Sequence, residues 1–318
     1  IEYALSYRMK VMPNDLNAFR LIYGEADFLS GLTVDKFNDV LVCQILSLGI
    51  DIRKDIILKA LYDVVSKYFK IRGIYLRCDV ALREKEGLEE YVGWYDKIPV
   101  TSQETTTEII ENGLKYLVDF KEGQKTGFFL DQKYNRLTIR NLAKDMTVLD
   151  CCTHTGSFAM NAALGGAKKV MALDISQKAL LDAKKNFWLN NLNIDTYCAD
   201  LFDYLRKLVD SKNKEYNLII LDPPAFTKSK DTIKSALKGY QEINYLAMKA
   251  LPRGGYLATA SCSHYASEED FTRAIFNASV MAGVTLRVVK KSYAAPDHPE
   301  VMGIPETKYL KFFIFQVV

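Results

Sequence analysis

Between Asp51 and Phe69 the apolar residues Ile56, Ile57, Leu61, Val64, Val65 and Tyr68 recur at intervals that predict one helix with a single apolar face. The flanking patterns differ. Ala18–Gly24, Gly31–Phe37 and Val40–Leu48 are short β-prone runs separated by Gly, Asp and Asn, and Gly73–Cys78 is another. Strands, helix and strand in that order predict a small α+β domain over residues 1–104. Within Glu108–Phe120, Asn112-Gly113 divides two β-prone runs, which predicts a two-residue hairpin; residues 105–124 read as a bridge. From Phe128 onward strand and helix patterns alternate. Strands are expected at Thr147–Asp150, Lys169–Asp174, Thr196–Cys198, Leu218–Leu221, Tyr256–Ser261 and Leu310–Val317. Such alternation calls for a mostly parallel sheet with right-handed crossovers, an α/β domain of Rossmann-like form over residues 125–318.

Composition adds bounds. A chain of 318 residues with 49% hydrophobic positions has the material for two cores. The net charge of +3 decides nothing, but its distribution does. Lys121–Arg140 and Ala225–Tyr240 are both rich in basic residues, among them Lys125, Lys133, Arg136, Lys228 and Lys230, and such clusters suit a polyanion such as RNA. The competing interpretation is a set of solvated loop lysines. The six cysteines form no CxxC pair, so neither a disulfide framework nor a metal site is expected, and a reducing cytoplasm fits best. No signal peptide and no apolar run of about 18 residues is present, which predicts a protein without a membrane partner.

The chemistry gathers at the ends of the later strands. Val148–Phe158 (VLDCCTHTGSF) is an apolar run closed by Asp150, then a turn of small residues with one glycine, then a helical pattern. A turn of that kind lets a ligand approach the backbone and the first N–H groups of a helix. Asp174 closes the next strand, Asp200 follows the third, and Asp222-Pro223-Pro224 follows the fourth. Acids closing successive strands, with Asp-Pro-Pro after the fourth, point to a methyltransferase that holds S-adenosylmethionine and releases S-adenosylhomocysteine. Thr153, Thr155 and Gly156 would line the first loop and Asp174 would accept from the ribose hydroxyls. Asp200 would accept from the adenine amino group and Phe202 would cover the ring, with Ile175 and Leu201 beside them. Singly, each acid reads equally as a turn or helix cap. The rival cofactor is NAD, but the first turn has only Gly156 where G-x-G-x-x-G would be needed.

Asp222 would meet the target base, held by two prolines that stiffen the turn and remove backbone donors. Cys262 in TASCSH follows the strand Tyr256–Ser261 and faces the same cleft. A thiolate adding to carbon 6 of cytosine would make carbon 5 able to take a methyl group, and cysteine is both a strong nucleophile and a competent leaving group. A small buried cysteine is the alternative.

Taken together, GEADFLSGLTVDKF, REKEGL, GQKTGFFLDQKYNR, the loop after Asp150, LDPPAF, GYQEIN, SCS, and PDHPE with PETKYLK resemble the bacterial large-subunit ribosomal RNA cytosine-5 methyltransferases that usually carry an N-terminal PUA domain. The matching pieces span nearly the whole chain from Phe19. The resemblance implies a central α+β domain followed by a Rossmann-like catalytic domain, with Cys262 as nucleophile and Asp174, Asp200 and Asp222 in the pocket. It places Phe129, Asp131 and Gln132 at the entry to the cofactor site. No PUA-like segment precedes Phe19, so such a domain is expected ahead of Ile1. The family has Tyr-Thr-Gly in the first loop where this chain has His154-Thr155-Gly156, and His154 is read as a spacer. For the base that takes the carbon 5 proton the candidates are His298, Glu300 and Glu306, just before the final strand, and the resemblance to cysteine-dependent uridine methyltransferases, which place a glutamate before their last strand, favours Glu306. Glu306 could instead cap a turn or pair with Lys308. A guanine-N7 methyltransferase of the same fold and a non-catalytic RNA-binding module are the alternative functions.

Overall fold

The computed structural model describes residues 1–227 and 229–318, and the side chain of Lys230 is outside that description. The chain forms two compact units, one of residues 1–133 with 295–308 and one of residues 134–294 with 309–318.

The first unit opens with α1 (Glu2–Val11) and a sheet of β1 (Ala18–Tyr23), β2 (Leu32–Phe37), β3 (Val40–Ile45), β4 (Gly73–Cys78) and β5 (Tyr91–Trp94), in that spatial order. All neighbours are antiparallel except β3 and β4, the pair joined through α2 (Leu48–Asp51) and α3 (Lys54–Val65). A parallel pair needs such a crossover. The expected single helix over Asp51–Phe69 is therefore two, broken at Ile52–Arg53, and Leu48 starts a helix rather than ending a strand. Its buried stripe is Leu58, Leu61 and Val65, while Ile56 and Tyr68 of the predicted face are exposed at 76% and 59%. Ile56 lies about 200° around the helix from Leu58, so counting apolar residues placed it on the wrong side. A short α4 (Leu82–Lys85) precedes β5.

The hairpin is β6 (Thr106–Glu111) and β7 (Leu114–Asp119), and Asn112 and Gly113 both have positive φ, 52° and 74°, as the tight twisted turn requires. It belongs to the first unit rather than forming a separate bridge, because its backbone and side chains are tied there. The Ile110 N–H donates to Asn17 Oδ1 at 2.7 Å, and Tyr116 packs on Phe128 with ring centroids 5.0 Å apart. Residues 125–133 and 295–308, expected in the catalytic domain, also belong here. Arg8 donates to the Asp297 carbonyl at 2.9 Å, the Arg20 N–H to Asp297 Oδ2 at 2.9 Å, and the Ala295 N–H to the Asp131 carbonyl at 2.8 Å. The return of a late segment to an early unit leaves no periodic signal in sequence.

The second unit begins with α5 (Lys133–Leu142, its first residue counted with the first unit). Then come β8 (Thr147–Cys151), α6 (Ser157–Leu164), β9 (Lys169–Asp174), α7 (Gln177–Leu189), β10 (Asp195–Cys198), α8 (Leu201–Asp210), β11 (Leu218–Leu221), α9 (Ile233–Ala250), β12 (Tyr256–Ser261), α10 (Glu268–Ala282), β13 (Leu286–Ser292) and β14 (Lys311–Val317). The sheet order is β10-β9-β8-β11-β12-β14-β13. The first five strands are mutually parallel, β14 alone runs antiparallel to them, and β13, antiparallel to β14, runs in the same direction as the first five. Strand β13 was missed in sequence because LRVVKKS is largely exposed at the sheet edge and carries no apolar alternation. The central β11 is buried at all four positions, which is why LIIL reads as an unbroken apolar run. Strand order reverses between β8 and β11, and the carboxyl ends of these strands flank that switch point.

Candidate functional site

The turn after β8 is fastened by the acid that closes the strand. Asp150 is fully buried, and its Oδ2 accepts from the Thr153 hydroxyl at 2.6 Å and from the Ala159 N–H in α6 at 2.9 Å. Its Oδ1 is buried with no partner among the described residues. Burial pushes the Asp150 carboxyl up to about 7, with Asp222 and Asp174 adding to the rise and the Thr153 and Ala159 hydrogen bonds opposing it. Cys152, His154 and Gly156 all have positive φ, so the turn is tightly coiled. At Gly156 (φ 82°) a Cβ would lie 2.3 Å from the Phe187 ring of α7, so only glycine lets this turn close on that helix.

Asp174 pins the same turn from the next strand. Its Oδ2 accepts from the His154 N–H at 2.8 Å and its Oδ1 from the Ser176 N–H at 2.9 Å. Each oxygen retains a lone pair for a ribose hydroxyl. Asp200 does cap α8, its Oδ1 accepting from Phe202 N–H at 2.8 Å and Asp203 N–H at 3.1 Å, which leaves Oδ2 on an exposed side chain open to a ligand donor. Cap and ligand roles are compatible. Ile175 is 70% exposed, as a residue lying over a cofactor would be, but the Leu201 side chain packs into the core beneath α8, so only its backbone can face a ligand. Thr153 is buried beside Asp150 while Thr155 is half-buried. The thiol of Cys152 is pushed up by burial, with Asp174, Asp222, Asp150 and Asp200 adding to the rise.

Strands β11 and β12 lie side by side in parallel, with Leu221 opposite Thr259, so the turns that follow them leave the sheet at the same end. The first holds Asp222, buried Pro223 and Phe226; the second holds Cys262, half-buried. Beneath both lies Tyr240 of α9. Its ring is 4.6 Å from that of Phe226, and the Ser261 hydroxyl donates to its phenol oxygen at 3.1 Å. Burial pushes that phenol up to about 12; the Ser261 hydrogen bond and the Phe226 backbone N–H oppose the rise, while Cys262 and Asp222 add to it. The Cys262 turn is held from below as well, since Lys311 Nζ donates to the Ser263 and Ala266 carbonyls, both at 2.7 Å. His264 stacks on Tyr309 with ring centroids 5.1 Å apart.

The remaining candidates belong to the first unit or to the surface. Phe129 is half-buried with Lys125 Nζ 4.7 Å above its ring, and Asp131 and Gln132 are buried beside it in sequence. His298 is buried, its Nδ1 2.9 Å from Asp297 Oδ1 and its ring 5.3 Å from that of Tyr23. Glu306 is exposed in the turn before Lys308, and the ion pair made by Lys308 is with Glu300, at 3.8 Å, instead of Glu306. Two expected phosphate contacts are corrected. Lys133 is buried and donates to the Asp15 and Ala18 carbonyls at 3.2 and 2.7 Å, and Arg136 is 1% exposed. Both face inward because their segment packs in the interior, so neither offers charge to a polyanion. Lys125 is exposed, as are Lys234 and Lys238 on α9, which sequence reasoning counted only as part of a cluster. Lys228 and the side chain of Lys230 lie outside the described residues. Among the described residues no group of three or more His, Cys, Asp or Glu is placed to hold a metal ion, and no helix is long and apolar enough to cross a membrane.

An open parallel sheet with a coiled first turn, strand-end acids around it and an unpartnered buried carboxylate oxygen defines a nucleoside-binding transferase site of the Rossmann-like methyltransferase class. The sequence pattern of a family described as S-adenosylmethionine-dependent methyltransferase matches residues 87–313. The chain is 40% identical over 309 residues to the ribosomal RNA large subunit methyltransferase I of Pseudoalteromonas atlantica, covering 95% of this chain and 75% of the relative. It is 40% identical over 325 residues to the protein of the same name from Vibrio cholerae, covering 100% and 80%. A solved Streptococcus mutans structure described as a SAM-dependent methyltransferase superposes with a TM-score of 0.84 at 22% identity, covering 99% of this chain and 79% of that one. A tRNA m1G37 methyltransferase from M. jannaschii superposes with a TM-score of 0.56 at 19% identity, covering 95% and 76%. These two establish likeness of fold. The chain belongs to the S-adenosylmethionine-dependent methyltransferases, in the family of the large subunit methyltransferase I proteins. Its cofactor is S-adenosylmethionine, and the residues fit it. The unpartnered oxygen of Asp150, the second lone pairs of Asp174 and the open oxygen of Asp200 are acceptors suited to a ligand bearing ammonium, ribose hydroxyl and adenine amino donors.

Proposed function

We propose that this chain methylates carbon 5 of a cytosine in large-subunit ribosomal RNA through a covalent adduct on Cys262. The observation that carries this reading is the placement of a half-buried cysteine on the turn after β12, beside the Asp222-Pro223-Pro224 turn after β11. The names of the relatives support ribosomal RNA of the large subunit as substrate, and a cytoplasmic location is part of the same proposal.

Bound S-adenosylmethionine supplies a methyl group made electrophilic by its sulfonium. Asp222 hydrogen-bonds the amino or N3 edge of the base and orients it. The Cys262 thiolate adds to carbon 6, forming the S–C6 bond, and the electron pair of the C5–C6 double bond becomes available at carbon 5. Carbon 5 then takes the methyl group, and the bond electrons stay with the sulfur that loses it. A base removes the carbon 5 proton, the double bond re-forms, and the S–C6 bond breaks to return the thiolate. Glu306 is the proposed base, being an exposed carboxylate with no ion pair among the described residues, whereas His298 is buried against Asp297. Phe129, Asp131 and Gln132 are proposed at the cofactor entry, and Lys125, Lys234 and Lys238 as phosphate contacts. A PUA domain ahead of Ile1 is part of the same proposal.

Nucleoside mass analysis of large-subunit RNA incubated with the protein and S-adenosylmethionine tests the reading. 5-Methylcytidine is the expected product; 7-methylguanosine would replace it with the guanine reaction, and no methylation at all would leave a binding module.

A further inference from the structure

We infer that Tyr240 is a positioning residue for methyl transfer, its ring packed on the turn that carries Asp222 and its phenol oxygen tied to the turn that carries Cys262. This rests on the proposed role of Cys262 as nucleophile. Tyr240 is fully buried in α9 and touches both turns: its phenol oxygen accepts from the hydroxyl of Ser261, adjacent in sequence to Cys262, at 3.1 Å, and its ring packs on that of Phe226, in the turn begun by Asp222. The ring is clamped between Phe226, 4.6 Å away, and Phe271 of α10, 5.2 Å away edge-on. Gly239 permits this approach, since a Cβ there would stand 3.1 Å from the Phe226 ring. The backbone is fixed too, with the Asn244 amide donating to the Tyr240 carbonyl at 2.7 Å.

A phenylalanine would fill the same volume, so packing alone does not ask for the hydroxyl. What the oxygen adds is the hydrogen bond that ties Ser261, next to Cys262, to α9. Ser263 Oγ also reaches across to the Thr227 carbonyl of the other turn, at 3.4 Å. Burial keeps the phenol neutral at every working pH, so the bridge neither takes nor gives a proton during turnover. Its contribution is geometric: a small displacement of a nucleophile from its approach to the reacting carbon slows bond formation by up to about 100-fold.

The test uses the full chain with RNA carrying 5-fluorocytosine at the methylated position, which stalls the reaction at the covalent adduct. Tyr240→Phe should keep its affinity for S-adenosylmethionine and for RNA within about twofold, and form the adduct about 10- to 100-fold more slowly. The pH profile of adduct formation should keep its shape. Ser261→Ala removes the same bond from the other side, and the double variant should be no slower than the slower single one. Adduct formation by Tyr240→Phe at the native rate would overturn the inference while leaving Cys262 as nucleophile. So would additive effects in the double variant, or loss of one limb of the pH profile. Absence of any adduct with the native protein, despite methylation of ordinary RNA, would overturn both.

Discussion

The Thr153 hydroxyl donates to Asp150 Oδ2 at 2.6 Å across the turn that ends β8, while the other oxygen of Asp150 has no partner among the described residues. One residue thus both builds the cofactor turn and carries an unmet buried acceptor. The consequence is a pH dependence of the free protein. The Asp150 carboxyl is raised from its ordinary 3.8 to about 7, so the folded state holds a proton that the unfolded chain releases between those values. Its contribution to stability is full below about 3.8 and is lost as pH rises through about 7. Asp150→Asn, neutral at all pH, should remove this dependence. Denaturant unfolding at pH 5.5 and 8 should show the native protein losing about 1–3 kcal/mol relative to the variant over that interval. Parallel pH curves for the two proteins would show that the carboxyl is ionised throughout.

Asp174 is expected to govern cofactor affinity. Its carboxylate already orders the first turn through His154 and offers remaining lone pairs to the ribose. Asp174→Ala should weaken S-adenosylmethionine binding by about 1.5–3 kcal/mol, the range for losing hydrogen bonds to a charged group. Calorimetric titration of the folded variant measures it, and an unchanged affinity would place the ribose elsewhere.

How far this site could be read from sequence follows from what each residue does. The strand-end acids were legible because an apolar run closed by Asp marks both a strand and its exit. The caps and pins they make, such as Asp200 on the first turn of α8, were legible only as an alternative use of the same residue. Tyr240 was not legible as a bridge, since nothing local in GYQEIN says that α9 passes beneath the turns of β11 and β12. The buried state of Lys133 and Arg136 was hidden for a related reason: a long basic side chain at the start of an amphipathic helix looks solvated until the remote chain it packs against is known, as with the Asp15 and Ala18 carbonyls that meet Lys133.

That difference separates two kinds of lysine by experiment. Lys234→Ala and Lys238→Ala, exposed on α9, should each weaken RNA binding across sequences and lower the salt slope by about 1, with little change in stability. Lys133→Ala should instead destabilise the fold, because it strips the Asp15 carbonyl and the buried Ala18 carbonyl of a charged donor. Fluorescence titration of RNA at several salt concentrations, beside thermal unfolding of each variant, reads both effects. RNA affinity flat from low to moderate salt would remove the electrostatic role altogether.

The nucleophile is the decisive prediction. A serine alkoxide is out of reach near neutral pH, so Cys262→Ser should bind cofactor and RNA as the native protein does and transfer no methyl group. Cys262→Ala should do the same, and neither should be trapped by RNA bearing 5-fluorocytosine, because there is no thiolate to add to carbon 6. Binding and chemistry must be measured separately. The turn holding Cys262 is fixed through Lys311 and the Ser263 and Ala266 carbonyls, contacts that do not involve the thiol, so the variants should keep the turn's shape. If Cys262→Ala methylated RNA at a rate near the native one, the thiol would be a packing residue. Methylation would then need only a base oriented by Asp222, which is the guanine-N7 reaction, and 7-methylguanosine in the product would complete that reassignment.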